Sequence, residues 1–151
     1  MQNIIIILLC LFTMGCSSTG LKVDLDSDKS QVLEIFSAAD NQTAQGLVTY
    51  LENVDENIVL MPHNHPAVIG KSAYEQHIIQ NWQGGTTIIK HELIEMTSFK
   101  DVVIARGRAI GTFRPNDSQD VFAFETKNMF VFKRDARGNL KVWQIIFNMQ
   151  P

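Results

Sequence analysis

Val121-Phe122-Ala123-Phe124-Glu125-Thr126-Lys127-Asn128-Met129-Phe130-Val131-Phe132-Lys133-Arg134 is the stretch from which the fold is read. Phe122, Phe124, Thr126, Asn128, Phe130 and Phe132 share one face, and Val121, Ala123, Glu125, Lys127, Met129, Val131 and Lys133 share the other. A period of two over so long a run marks a β-strand with one covered face. Outward from it, residues 86–97, 102–113 and 141–149 are as rich in β-branched and aromatic side chains and also read as strands. The connections 98–101, 114–120 and 135–139 are short, and the last contains Gly138. Strands so close in sequence are expected to pair antiparallel.

Upstream the period changes. Val32, Leu33, Ile35, Phe36 and Ala39 fall at helical spacing, with Asp28 placed to cap the helix. Asn41-Gln42-Thr43 break the run, and Leu47, Val48, Leu51 and Val54 predict a second helix over 43–53. Residues 57–61 read as a short strand ended by Pro62. Ser72-Ala73-Tyr74-Glu75 has the form of a capping box, Tyr74, Ile78, Ile79 and Trp82 supply the buried stripe of a third helix, and Gly84-Gly85 closes it. Helices first and long strands after predict an α+β domain, with the helices on one face of an antiparallel sheet.

The chain opens with Met1-Gln2-Asn3 and an unbroken apolar run over 4–12. A spanning helix needs about 20 apolar residues, so this run fits the core of a secretory signal instead. Thr13-Met14-Gly15-Cys16 resembles the lipobox of bacterial lipoproteins, although Thr13 and Met14 depart from the usual pattern. The resemblance implies that 1–15 is a signal peptide and that Cys16 is lipidated, anchoring the protein in the bacterial envelope. Ser17 matches the outer-membrane, periplasm-facing sorting pattern. A signal cut elsewhere and an uncleaved anchor are the alternatives. Residues 16–29 are then the lipidated cysteine and a flexible tether, and 30–151 a single domain. The second cysteine, Cys10, lies in the leader, so the domain has no thiol pair and depends on its core. A net charge of −3 without a basic run argues against nucleic acid as a partner.

Three segments carry a wider resemblance: Tyr50-Leu51-Glu52-Asn53-Val54-Asp55-Glu56-Asn57-Ile58-Val59, the passage from Pro62 to Gly70-Lys71-Ser72, and Phe130-Val131-Phe132-Lys133-Arg134 with Gly138 and Trp143. In this order they resemble the NTF2-like superfamily, in particular its SnoaL-like and DUF4440-like members. The resemblance implies a cystatin-like cone, in which three N-terminal helices pack on a curved antiparallel sheet around a pocket, and a homodimer through the outer sheet face. Members of the fold include isomerases, dehydratases, cyclases and non-catalytic modules. Ketosteroid isomerase uses an Asp base with a Tyr and a protonated Asp as oxyanion donors. The resemblance places these at Met61, Phe36 and Asn128. A thioether takes no proton and a phenyl ring donates no hydrogen bond, so isomerase chemistry of that type is not expected.

The expected pocket residues are Phe36, Met61, His63, Trp82, Arg106, Arg108, Phe124, Asn128, Phe130 and Asn148. Asn148 enters because Val142, Gln144, Ile146 and Asn148 alternate onto one side of the last strand. Arg106 and Arg108 share a face with Val102, Ile104, Ile110 and Thr112, and the resemblance turns that face inward, where guanidinium groups would hold an anion. The alternative is the outer face, with Glu92 or Glu125 as partners. His63 and His65 project to one side of a proline-flanked loop, but no third ligand follows from the spacing of His77 or His91, so no metal is expected. No phosphate loop or nucleophile elbow is present, and no cofactor is implied. The expected function is binding of a small, partly apolar molecule, with the arginines suited to an anionic one. The alternatives are an envelope enzyme of the fold (dehydratase, cyclase or isomerase-like, with His63 or His65 as base) and a dimeric accessory subunit.

Overall fold

Asp24 starts the first helix: its carboxylate accepts from the amides of Asp26 at 3.2 Å and Ser27 at 3.1 Å. A computed structural model of the protein describes residues 23–150, so the leader, Cys16 and the start of the tether lie outside the described residues. Helix α1 (Leu25–Asp40) therefore begins within the segment expected as tether, and Asp24 rather than Asp28 is its cap. Val32, Ile35 and Phe36 are its buried apolar residues. Thr43 caps α2 (Ala44–Glu52), accepting from the Gly46 amide at 3.1 Å. Strand β1 (Val54–Met61) is longer than expected and pairs with a two-residue β2 (Val68–Ile69) that sequence reading left in a loop. Gly70 follows in the left-handed region, at φ 87°, and serves as N-cap of α3 (Lys71–Gly84). No side chain caps this helix, so Ser72 and Glu75 do not form the expected capping box.

Strands β3 (Gly85–Ser98), β4 (Val102–Pro115), β5 (Phe122–Arg134) and β6 (Leu140–Met149) form the expected antiparallel run. The sheet as a whole corrects the expectation of a curved, all-antiparallel cone. Its order is β2-β1-β6-β5-β4-β3, open at β2 and β3, and β1 runs parallel to β6. Proximity in sequence favours antiparallel pairing only between neighbours. The partner of β1 comes from the far end of the chain, where the amide of Val142 donates to Asn53 O at 2.7 Å.

Helices cover one face, and the core joins Val32, Ile35 and Phe36 to Val103, Ala105, Phe130, Phe132, Leu140, Val142 and Ile145. Asp28, 1% exposed, is buried with them. Arg134, at the end of β5, meets its carboxylate with two bonds of 2.6 and 2.8 Å, and the same guanidinium donates from Nε to Lys100 O at 3.0 Å. One forked group thereby ties the first turn of α1 to two strand ends.

These bonds from Arg134 hold the Asp28 carboxyl below its usual 3.8. A carboxyl depressed by folding stabilises the native state above its unfolded pKa, and that contribution disappears as pH falls through the lower folded value. Asp28→Asn should cost about 3–5 kcal/mol at neutral pH, because it leaves Arg134 buried and uncompensated. It should also flatten the loss of stability below the usual 3.8. Urea melts of both proteins across the acid range measure the two effects.

Candidate functional site

Between the helices and the covered sheet face lies a cavity of about 540 Å³. On the inner face of β4 the residues Val103, Ala105, Gly107 and Ala109 are small and buried, and Ala109 lines the cavity. A Cβ on Gly107 would meet Glu92 O at 2.6 Å and the Phe36 ring at 3.8 Å. Small residues here let large rings from α1 and β5 lie over the strand.

Of the residues expected at the pocket, Phe36, Trp82, Phe124, Asn128 and Phe130 line it, and Met61, His63, Arg106, Arg108 and Asn148 do not. Met61 alternates away from Leu60, which does line the cavity. His63 sits in the loop before β2, its Nε2 2.9 Å from Asn64 Nδ2. The inner face of β4 is the one opposite the arginines. Arg106 Nε donates to Glu95 at 2.6 Å, and Arg108 bonds Glu92 at 2.8 Å and Glu125 at 3.3 Å on the outer face. Asn148 is turned out by a bulge: Val131 pairs with Gln144 and Phe132 with Val142, leaving Trp143 as an extra residue. One inserted residue reverses every later side chain, so Ile145, Phe147 and Met149 face the cavity and Gln144, Ile146 and Asn148 do not.

The cavity also brings together residues that sequence reading did not assign to it. His91, on β3, lines the wall, and its Nδ1 lies 2.6 Å from Oδ1 of Asp40, the last residue of α1. Both carboxylate oxygens of Asp40 also accept from the His91 amide at 3.0 Å. An ionised carboxylate is only an acceptor, so Nδ1 is the donor of this contact, and in the neutral imidazole that leaves the lone pair on Nε2. Phe36 and Phe130 hold the ring, with centroids 5.4 and 5.9 Å from it. Opposite, Tyr50 from α2 and Tyr74 from α3 line the same cavity, their hydroxyls 2.8 Å apart. Burial pushes Tyr50 up to about 12 and Tyr74 well above its usual 10, so both are neutral. His77 lies one turn beyond Tyr74, and burial, with the nearby His65, lowers its pKa. No Lys, Arg, Asp or Glu is among the lining residues. Among the described residues, no three His, Cys, Asp or Glu side chains come together to hold a metal.

The signals for His91 were faint. It is one imidazole on the Thr87, Ile89, Leu93 face of a strand, and the sequence carries no hint that Asp40 stands beside it. Asn128 was legible once the family resemblance had chosen which face of the alternating strand turns inward: it is 5% exposed, lines the cavity, and its Oδ1 has no hydrogen-bond partner among the described residues.

No protein-family model matches the chain, and no curated protein matches it significantly. Solved structures do resemble it. A ketosteroid isomerase-like protein from Erwinia carotovora atroseptica superposes with a TM-score of 0.72 at 15% identity, over 82% of this chain and 94% of that one. A type 2 hexachlorocyclohexane dehydrochlorinase gives 0.71 at 10% identity, over 83% and 86%. An NTF2-like protein of unknown function from Pseudomonas putida gives 0.60 at 16%, over 82% and 84%. Identities this low establish fold alone, and the fold is NTF2-like.

A buried acceptor without a donor costs stability. Asn128→Leu should therefore leave stability within about 1 kcal/mol of the parent, or raise it, since an apolar side chain of similar shape needs no partner. Urea denaturation midpoints test this. A loss of several kcal/mol would mean that the amide is satisfied within the fold.

Proposed function

We propose that the protein is an enzyme that removes a proton from carbon in a small, uncharged, largely apolar molecule, with His91 as general base and Asp40 as its positioning residue. The observation that carries this is the 2.6 Å contact between Asp40 and His91 on the wall of the cavity. Asp40 fixes the tautomer and leaves Nε2 as the basic atom. The substrate C–H bond breaks, its proton passes to Nε2, and the electron pair stays on carbon. That pair forms a new double bond, either with loss of a leaving group from the next carbon or by conjugation into an adjacent carbonyl. Proteins of the same fold bear names that speak of both outcomes, a dehydrochlorinase and an isomerase-like protein. The absence of a lining cation favours a neutral substrate over the anion that Arg106 and Arg108 suggested.

The test is deuterium incorporation from D₂O into cyclic ketones and chlorinated cyclohexanes, read by mass spectrometry alongside elimination products. The wild-type protein should accelerate exchange or elimination for at least one compound that binds. His91→Asn should lower that rate about 10²–10⁴-fold. Asp40→Asn should slow the reaction while leaving substrate affinity unchanged, because the ring is free to adopt the other tautomer. Compounds that bind without proton exchange or elimination would overturn the proposal.

We further propose that the enzyme is exported and held at the envelope by a lipid on Cys16. This rests on the resemblance of Thr13-Met14-Gly15-Cys16 to a lipobox. No helix among the described residues is long and apolar enough to cross a membrane. Cys16→Ser should move the protein from the membrane fraction to the soluble fraction in a bacterial expression host, and retention in the membrane would point to an uncleaved leader.

A further inference from the structure

The chain that leads back to Cys16 leaves the domain at one particular end. The described residues begin at Val23, and α1 starts at Leu25. That end is tightly tied. The Asp28 amide donates to Asp24 O at 3.0 Å, and the Arg134 amide donates to Asp101 O at 3.0 Å. The Arg134 guanidinium reaches Asp28, Lys100 O and Phe99 O together. The Leu140 amide donates to Gln31 at 2.9 Å. The first turns of α1, the turn between β3 and β4 and the turn between β5 and β6 therefore share one end of the fold.

Three apolar side chains stand out of this end. Val23 is 38% exposed, Leu25 59% and Phe99 51%. Phe99 is held there by its backbone: its amide donates to Val102 O at 2.8 Å, and its carbonyl accepts from Arg134 at 3.4 Å. A ring fixed in water on a rigid turn marks a contact surface more than a packing residue. The exposed charges around it are balanced, with Asp24, Asp26 and Asp101 set against Lys29, Lys100 and Arg137. Balanced charge with protruding apolar groups suits a neutral interface and offers little to an anionic one.

We propose that this end rests on the bilayer, with Leu25 and Phe99 in the headgroup layer of zwitterionic phospholipid, and that the open end of the cavity consequently faces away from the membrane. This rests on the reading of Cys16 as the lipid site. Leu25 stands nine positions after Cys16, and a chain of that length reaches about 30 Å at full extension. The tether alone permits several attitudes of the domain, and the apolar side chains where it enters select one.

The site lies well above that contact. Helix α1, 16 residues long, spans about 24 Å and ends at Asp40 beside His91. The strand gives the same measure, since Ser98 to His91 is about 23 Å of β3. Gly84, Thr87 and Phe113 line the cavity farther along the same direction. Val121 and Phe122 are also exposed at that far end, but the chain to Cys16 does not leave from there. A pocket held in this attitude fills from the aqueous side.

The test uses the full chain, expressed in a bacterial host, purified from membranes and reconstituted in phosphatidylcholine vesicles doped with a headgroup nitroxide. A bimane fluorophore is placed in turn through Lys100→Cys at the docked end, Gln119→Cys at the far end and Lys127→Cys on the outer sheet face. Nitroxide quenching should be strong at 100 and weak at 119 and 127. Leu25→Ser/Phe99→Ser should remove most of the quenching at 100 and leave the protein in the membrane fraction, and both residues are exposed enough to change without disturbing the core. Strongest quenching at 119 would mean that the cavity opens onto the bilayer, and strongest quenching at 127 that the domain lies on its sheet. Either result overturns the proposal, as does equal quenching at the three positions or quenching at 100 that the double Ser variant leaves unchanged. The mass of the purified chain reports the anchor separately. If it shows an intact leader, the lipid reading fails, and the same positions are read after Cys10→Ser and Cys16→Ser, because a leader left in the bilayer enters the domain at the same end. A protein wholly in the soluble fraction would overturn both readings, and neither outcome bears on His91 as the base.

Discussion

The carboxylate of Asp40 is shared between a backbone and a ring, and the site depends on that sharing. Strand β3 is an edge of the sheet, so one row of its amides has no strand to pair with. At His91 the orphan N–H finds both oxygens of Asp40 at 3.0 Å, and the imidazole Nδ1 finds one of them at 2.6 Å. The end of α1 is thereby tied to a strand 51 positions away. The contact that satisfies the edge also sets the tautomer and direction of the one lining imidazole that has a carboxylate partner among the described residues. Structure and chemistry draw on the same carboxylate, so a change at Asp40 disturbs the helix end, the strand edge and the ring together.

The cavity exists because aromatic rings are distributed unevenly over a floor of small residues. Towards one end, Phe132 is fully buried, Phe130 lies 6.1 Å from it, and Phe36 lies 4.8 Å from Phe130. Each such pair adds about 0.5–1.5 kcal/mol beyond the area it buries. This end is an ordinary core. Towards the other end, Ala109 and Gly111 continue the small face of β4, Phe124 stands over Gly111, and Trp82, Phe113 and Phe147 line the open volume. His91 sits at the boundary, against Phe36 and Phe130 on one side and open volume on the other. The proposed base would be held by the packed end and face what enters the open one.

Much of this was legible in the sequence, and what was missed has physical causes. Alternation in β5 put Phe124, Asn128 and Phe130 on one face, because a regular strand permits no other arrangement, and the family resemblance turned that face inward, where all three line the cavity. The same rule failed on β6, where the unpaired Trp143 reverses the later residues, and a bulge leaves no mark in composition. On β4 a steric signal was present: Ala105, Gly107, Ala109 and Gly111 form the face that a helix and its aromatic side chains can approach, whereas Arg106 and Arg108 form the one they cannot. The resemblance to a family turned the arginine face inward, and the structure takes the alternative, the outer face with Glu92 and Glu125 as partners of Arg108. Asp40 and His91 lay beyond local pattern altogether, since neither residue is conspicuous without the other. The parallel pairing of β1 with β6 was hidden for the same reason, as a contact between distant parts of the chain.

The placement of charge bears on how strong the base can be. Arg106 and Arg108 are neutralised outside by Glu95, Glu92 and Glu125, and the internal pair of Asp28 with Arg134 joins the turn of α1 to the far end of β5, away from the lining residues. The cavity wall thus presents dipoles and neutral rings, and the carboxylate of Asp40 acts on His91 with no lining cation to oppose it. Coulomb interactions strengthen as water is excluded. In the proposed reaction, a substrate that fills the apolar volume would therefore strengthen the attraction between Asp40 and the imidazolium formed when Nε2 takes a proton. Its own apolar surface supplies the exclusion. The aromatic lining that first suggested a simple binding pocket is, on this argument, part of what would make His91 an effective base.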